Sequence, residues 1–406
     1  MRILVIAALV LAVSAPLASA RPAQPDRGFG NRGTVHPLPG IETSGNAVAM
    51  LPSGRILGVG GSRRRLAESF AVFRTSPRGR RERIAFVSFP EAPHAMATAM
   101  AIGPGGRIVA AGVAREENGR ERIAIAALRP SLELDAAFGA DGRVLGSEAA
   151  DSLGVTAAQI DRAGRIVVAG GASYEDRARS ERVFVSRFLP SGAVDTTFAD
   201  EGVFTAPGGG AADVAVRSDG SILLAARPVP AGARRPSFLM LRLTEGGRLV
   251  SRDARRVGRG SAYAGPAEIL LRGDGSALVA GTVSDAKDRF APALLRYGRD
   301  GRLASVRRLA QRRRSFAMVG LERRSDGRLL LGGETGYGRW EFRGLTAGGR
   351  PDRRFGVRVA RNVGSYDVAG FADFIVRGRR IVGVGTDEQD ERIDYFSYAL
   401  LAAFRG

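Results

Sequence analysis

The sequence predicts an all-β chain, a seven-bladed β-propeller of four-stranded antiparallel blades closed by an N-terminal strand that joins the C-terminal blade. Three observations carry this. A hairpin-like unit recurs seven times, a second motif punctuates the chain between units, and a copy of that motif stands near the N-terminus while the last unit has none behind it.

The hairpin unit reads AVAMLPSGRILGVGG (Ala47 to Gly61), then ATAMAIGPGGRIVAAG, VTAAQIDRAGRIVVAGG, ADVAVRSDGSILLAA, AEILLRGDGSALVAG, LERRSDGRLLLGG and ADFIVRGRRIVGVG. Its turn glycines, Gly54, Gly106, Gly164, Gly220, Gly275, Gly327 and Gly378, lie 52, 58, 56, 55, 52 and 51 residues apart. That period suits a propeller blade and exceeds that of helical repeats. A short apolar run, a glycine able to take positive φ and a β-branched run make two adjacent antiparallel strands. A third strand follows a charged loop, as in FAVFR, RVFVSRF, SFLMLRL and PALLRY, each with an arginine near its end (Arg74, Arg187, Arg242, Arg296).

The punctuation leads into the fourth strand. LDAAFGADGRV (Leu134 to Val144) is nearly copied by VDTTFADEGVF (Val194 to Phe204), and looser copies stand at PDRGFGNRGTV and PDRRFGVRV. After YFSYALLAAFRG the last unit lacks both the motif and a fourth strand. The segment around Thr34 to Pro37 is therefore expected to complete that blade, removing an edge of unpaired backbone groups.

The pairing of this hairpin with an LDxxFGxxGxV-like connector resembles the delta-60 repeat family. The connector is kept as Asp26/Phe29, Asp135/Phe138, Asp195/Phe198 and Asp352/Phe355, and is degraded after the first, fourth and fifth units (SPRGRRERIAF, EGGRLVSRDARRV, DGRLASVRRLA). The resemblance covers almost all of the chain after residue 20. It implies a repeat protein of the bacterial surface or exterior and carries no agreed activity.

Met1-Arg2, an apolar run from Ile3 to Val13 and Ala18-Ser19-Ala20 fit a secretory signal, giving a processed chain of residues 21–406 with one domain, secreted or associated with the cell envelope. The apolar run is interrupted by Ser14 and Pro16 and falls short of a span, and no later segment is long enough. With no cysteine there is no disulfide framework, thiolate metal site or lipid-bearing cysteine. The formal net charge of +20 comes almost wholly from arginines scattered through every loop, Lys287 being the sole lysine, which reads first as a solvated surface. Nucleic acid is accordingly expected to bind only without specificity.

Candidate chemistry is sparse. GFGNRG (Gly28 to Gly33) has the letters of a dinucleotide fingerprint but neither the preceding strand nor the following helix, and reads as the closing connector. The connector aspartates, with Asp141 and Asp200, offer too few oxygens for calcium and suit turn caps or partners of strand arginines such as Arg187. Of two histidines, His36 falls in the closing strand and His94 in a loop. No G-x-S-x-G, H-E-x-x-H or Walker A motif occurs, and neither a cofactor nor a metal is expected.

Alternating turns place glycine hairpins and connectors on one face of the disc, and the charged loops with the interblade links on the other. The second face is expected to gather Arg63, Arg64, Arg65, His94, Tyr174, Arg177, Arg234, Arg235, Tyr263, Arg312 and Arg313 around the channel mouth, as loops on a rigid scaffold. The expected function is a non-enzymatic binding or scaffold module, a monomer, for an extracellular polysaccharide, a cell-wall polymer or a protein. The alternative is a lyase or hydrolase at the channel mouth using His94 with carboxylates or a loop-bound cation.

Overall fold

The computed structural model describes residues 20–406 except 40, 65–66, 175–180, 229–236, 258–262, 285–288, 311–314, 337, 362, 364–367 and 392–393. Seven antiparallel sheets form a seven-bladed propeller. The blades begin at Glu42, His94, Ser152, Ala211, Ala264, Ala317 and Val368 and are numbered 1 to 7 in that order. Blade 2 shows the pattern: His94–Ile102 innermost, then Ile108–Arg115, Glu121–Leu128 and Arg143–Ala150 at the rim. The innermost strands touch one another in sequence, and that of blade 7 (Asp373–Arg377) meets that of blade 1 (Ala47–Met50), so the ring closes. Helix among the described residues is limited to one 3-10 turn, Pro104–Gly106.

The core lies between blades. Successive strand side chains face opposite ways. Ile108 and Ala110 therefore pack toward blade 1, while Val109 and Ala111 pack toward blade 3. This explains second strands that read as unbroken apolar runs, such as Ile222–Ala226, all five residues buried.

The glycine ending the IVAAG-type run has a separate cause. In blades 2 and 3 the innermost strand carries a bulge, at Thr98 and Thr156, opposite Gly112 and Gly170. A Cβ at either glycine would collide with the carbonyl of Met96 or Gly154. In blade 4 the innermost strand starts only at Ala211, opposite Ala226, and there alanine is accommodated.

Closure repeats the internal connectors bond for bond. In blade 2, Asp135 N donates to Ala127 O, Ala127 N donates to Gly142 O, and Arg143 pairs with Ala126. At the joint, Asp26 N donates to Ala403 O, Ala403 N donates to Gly33 O, and Thr34 pairs with Ala402. The closing strand is Thr34–Val35, shorter than the expected Thr34 to Pro37. Gln24–Pro25 adds a second pairing to the same strand, Asp394–Arg405. Arg21–Pro22 runs parallel to Val357–Arg361 of blade 6, a contact the sequence pattern does not announce. His36 Nε2 lies 2.9 Å from Oδ2 of the fully buried Asp387, tying the segment to blade 7.

Candidate functional site

On the loop face, Arg63 and His94 are brought together through acidic partners. Arg63 is 3.5 Å from both Glu42 and Glu68, and His94 Nδ1 is 3.8 Å from Glu68. Arg63, Glu42 and Glu68 border a cavity of about 180 Å³ between blades 1 and 2. The two carboxylates offset the local positive charge, so this patch is no strong anion site. Tyr174 is half-buried against the core between blades 2 and 3. Exposed Tyr263 meets Phe290 edge-on at 5.6 Å. Arg64 ends the strand Ile56–Arg64, and its side chain lies outside the described residues. Arg65, Arg177, Arg234, Arg235, Arg312 and Arg313 likewise lie outside the described residues.

The connector face explains part of the arginine excess. Asp195 binds the buried Arg187 at 2.7 Å, and Arg187 also covers the ring of Phe198 at 4.5 Å. Asp135 binds Arg107 at 2.7 Å, and Asp26 binds Arg380 at 2.6 Å and Arg405 at 3.3 Å. Burial opposes ionisation of Asp26 and Asp195, but hydrogen bonds from Arg380 to the first, and from Thr197 and Arg187 to the second, hold both carboxyls below the usual range. Arg107 and Arg380, with Arg242, also reach across to the next blade's connector. Arg107 donates to Pro190 O at 2.7 Å, Arg380 to Pro77 O at 2.6 Å, and Arg242 to Asp300 O at 3.2 Å. Each such bond joins neighbouring blades at the rim.

A third group was missed by sequence reasoning. Asp213, Glu268 and Asp373 occupy one equivalent position, seven residues before the turn glycine in blades 4 and 5, on their innermost strands. Each carboxylate accepts an otherwise unpaired N–H from the next blade: Asp213 from Ile269 at 2.7 Å, Asp373 from Val48 at 2.8 Å, and Glu268 from Leu321. Burial pushes the Asp213 and Asp373 carboxyls up to about 7. Burial, then the charges of Asp213 and Glu322, puts Glu268 well above its usual range. Glu322, on the innermost strand of blade 6, is pushed up to about 8 by burial and the charge of Asp373. A carboxylate inside an apolar run, as in ADVAV and ADFIV, was the available signal. Their geometry is that of backbone acceptors, and no cluster of three or more potential ligands able to hold a metal occurs among the described residues.

An arginine-lined cavity lies at the rim between blades 6 and 7, at the closing joint. It measures about 700 Å³ and is bordered by Arg21, Pro22, Gln24, Pro25, Arg27, Arg358, Arg379, Arg405 and Gly406. A second hollow of about 550 Å³ shares Arg379, Arg405 and Gly406 and adds Arg377, Arg380 and Asp26. The side chain of Asp26 is the sole acidic one in either lining and is already held by two arginines. Arg21, Arg27 and Arg379 are exposed and make no ion pair with described residues. Guanidiniums present planar, always-charged donor forks suited to carboxylate, sulfate and phosphate oxygens. Sequence alone did not reveal this cavity, because it is assembled from residues near opposite ends of the chain.

The profile of a family described as a domain of unknown function (DUF5122), beta-propeller, matches residues 164–198, from a hairpin turn through to the next connector. Among solved structures, the WD40 domain of coronin from Toxoplasma gondii is similar at 10% identity and a TM-score of 0.50, with 96% of this chain and 89% of that one covered. An acylaminoacyl peptidase of Pyrococcus horikoshii is similar at 11% identity and a TM-score of 0.50, over 90% of this chain and 52% of that one. A protein of unknown function from Dyadobacter fermentans is similar at 11% identity and a TM-score of 0.47, over 92% and 98% of the two chains. No curated protein sequence matches. At such identities the two likenesses with a TM-score of 0.50 show the fold alone.

Proposed function

We propose that the protein is a non-enzymatic binding module, built of delta-60-like repeats, that holds an acidic polysaccharide outside the cell in the arginine-lined cavity between blades 6 and 7. The observation that carries this is the lining itself: five arginines around about 700 Å³, with no acidic side chain among them. The cavity's rim position leaves room for a long chain to pass through. It contains no aromatic ring on which bases could stack. Single-stranded nucleic acid is normally gripped by such stacking, and here only its phosphates would be met. A uronate polymer offers one carboxylate per charged sugar and needs no stacking platform. The secretory reading of the N-terminus supplies the matching compartment.

The test is binding of polygalacturonate, with neutral dextran and duplex DNA as comparators, at 50 and 200 mM salt. The processed chain should bind polygalacturonate and not dextran. The double variant Arg27→Glu/Arg379→Glu should bind at least tenfold more weakly with unchanged thermal stability. Equal affinity for DNA and polygalacturonate that vanishes at the higher salt, or an unaffected variant, would assign the binding to scattered surface charge.

A further inference from the structure

The cavity between blades 6 and 7, a seam that keeps the connector phenylalanine Phe355, has an equivalent one blade away, where the connector has lost its phenylalanine. At three seams the connector phenylalanine and the residue that opens the fourth strand form a plug. Phe138 with Val144, Phe198 with Phe204, and Phe29 with Val35 pack there, and the connector glycine of the next blade (Gly192, Gly247, Gly79) sits close against these residues or their neighbours. Strand register identifies the same fourth-strand position around the ring: Val144 faces Ile125, Phe204 faces Val185, Asp253 faces Met240, Arg307 faces Leu294, and Arg358 faces Phe342.

Blades 4 and 5 have degraded connectors without the phenylalanine. Between blades 4 and 5, Tyr297 and Asp253 leave a gap of only about 10 Å³, with Asp253 bound to Arg255 at 2.6 Å. Between blades 5 and 6 no ring takes the phenylalanine's place, and a cavity of about 440 Å³ remains over Leu278 and Leu294. Arg296, Arg307 and Arg350 border it with Ser305 and Thr346, and its lining holds no acidic side chain. The nearby Asp274 is bound by Ser276, with Arg272 and Arg296 adding to the hold on it. Arg307 also donates to Gly349 O at 3.3 Å, which fixes one side of the opening.

We propose that this cavity is a second anion subsite, taking another carboxylate of the same acidic polysaccharide, so that the polymer crosses the rim of blade 6 and is read by its length. The inference rests on the binding function proposed above. An arginine where the three plugged seams place valine or phenylalanine leaves a basic joint instead of a sealed one. Arg358 in one cavity and Arg307 in the other are the same position in consecutive blades. A ligand long enough to fill both sites gains avidity from the second contact, typically a hundredfold or more when the span fits.

The experiment measures affinity of the processed chain for a length series of oligogalacturonides, using wild type, Arg307→Val/Arg350→Ala, and Arg27→Glu/Arg379→Glu, each with a melting curve. Arg307→Val copies the residue of blades 2 and 7, and Arg296→Ala serves as a second variant should the first unfold. The expected result is a rise of at least tenfold in wild-type affinity beyond a threshold length, abolished by Arg307→Val/Arg350→Ala, with short oligomers bound equally by both. A threshold that survives in both blade 5/6 variants overturns the subsite and leaves the first cavity standing. Binding lost only in the blade 5/6 variants overturns the first cavity instead. No oligogalacturonide binding at any length overturns both.

Discussion

Replacing Glu322 by glutamine should stabilise the protein at alkaline pH and leave it nearly unchanged at pH 5. The carboxyl stands at about 8 in the folded chain against its ordinary value of 4.5, raised by burial and by the charge of Asp373. The native state therefore holds a proton that the unfolded chain releases, and stability falls as pH rises from about 4.5 to 8. A displacement of that size amounts to about 5 kcal/mol at full ionisation. Glu322 is half-buried on the ring of innermost strands, and water reaching it reduces the effect to about 2 to 3 kcal/mol. Glu268 and Asp373 carry charge near the same place and share the relief. For a chain of this size 1 kcal/mol moves the melting point by about 1 °C. Thermal unfolding followed by circular dichroism at pH 5 and pH 9 should then show the variant about 2 to 3 °C more stable at pH 9 only. Acids with lowered pKa, such as Asp26 and Asp195, lose their contribution only as pH falls through the carboxylate range, so this window excludes them. An equal change at both pH values, or a less stable variant at pH 9, would refute the account of a proton held on the inner ring.

Other perturbations have their own signatures. Phe138→Ala removes a fully buried ring plugging the joint between blades 2 and 3 and should cost about 3 to 5 kcal/mol, seen as a melting point lower by a few degrees; a change under 1 °C would mean that the plug is not packed. Asp195→Ala strands the buried guanidinium of Arg187 and should cost about 3 kcal/mol by the same measure, with Asp195→Asn milder because Thr197 keeps an acceptor. Gly112→Ala forces a Cβ against the Met96 carbonyl and should cost about 2 kcal/mol, whereas alanine at Gly154, where a Cβ meets open space, should be near neutral.

The fold was legible because its two signals are local. Turn glycines and alternating apolar runs define hairpins within a dozen residues, and the displaced connector at Asp26 to Gly33 announces closure without any knowledge of the ring. Arg21–Pro22 could not be read, since two residues joining a neighbouring blade carry no periodicity. The site was harder for a related reason. Loop charge drew attention to Arg63 and His94, which Glu42 and Glu68 offset, while the arginine-rich cavity depends on residues from opposite ends of the chain meeting at one rim position. The inner acids were visible as letters, yet their role depends on which backbone N–H the next blade turns toward them.

Arginine in this chain has two separable uses. Some guanidiniums have a fixed acceptor, as Arg187, near the end of its third strand, has in Asp195 and Arg107, after its hairpin turn, has in Asp135 and Pro190 O. Such arginines are already bonded and contribute field without offering a free donor fork. Where an arginine occupies the fourth-strand sealing position, as Arg307 and Arg358 do, it replaces an apolar residue whose burial would have closed the joint. Burying a Val or Phe side chain stabilises by about 1.5 to 3 kcal/mol, so each open joint forgoes that much. The two open basic joints lie side by side around blade 6. Net charge therefore indicates little about binding here, and the few arginines that leave a seam unsealed are the ones whose removal should change it.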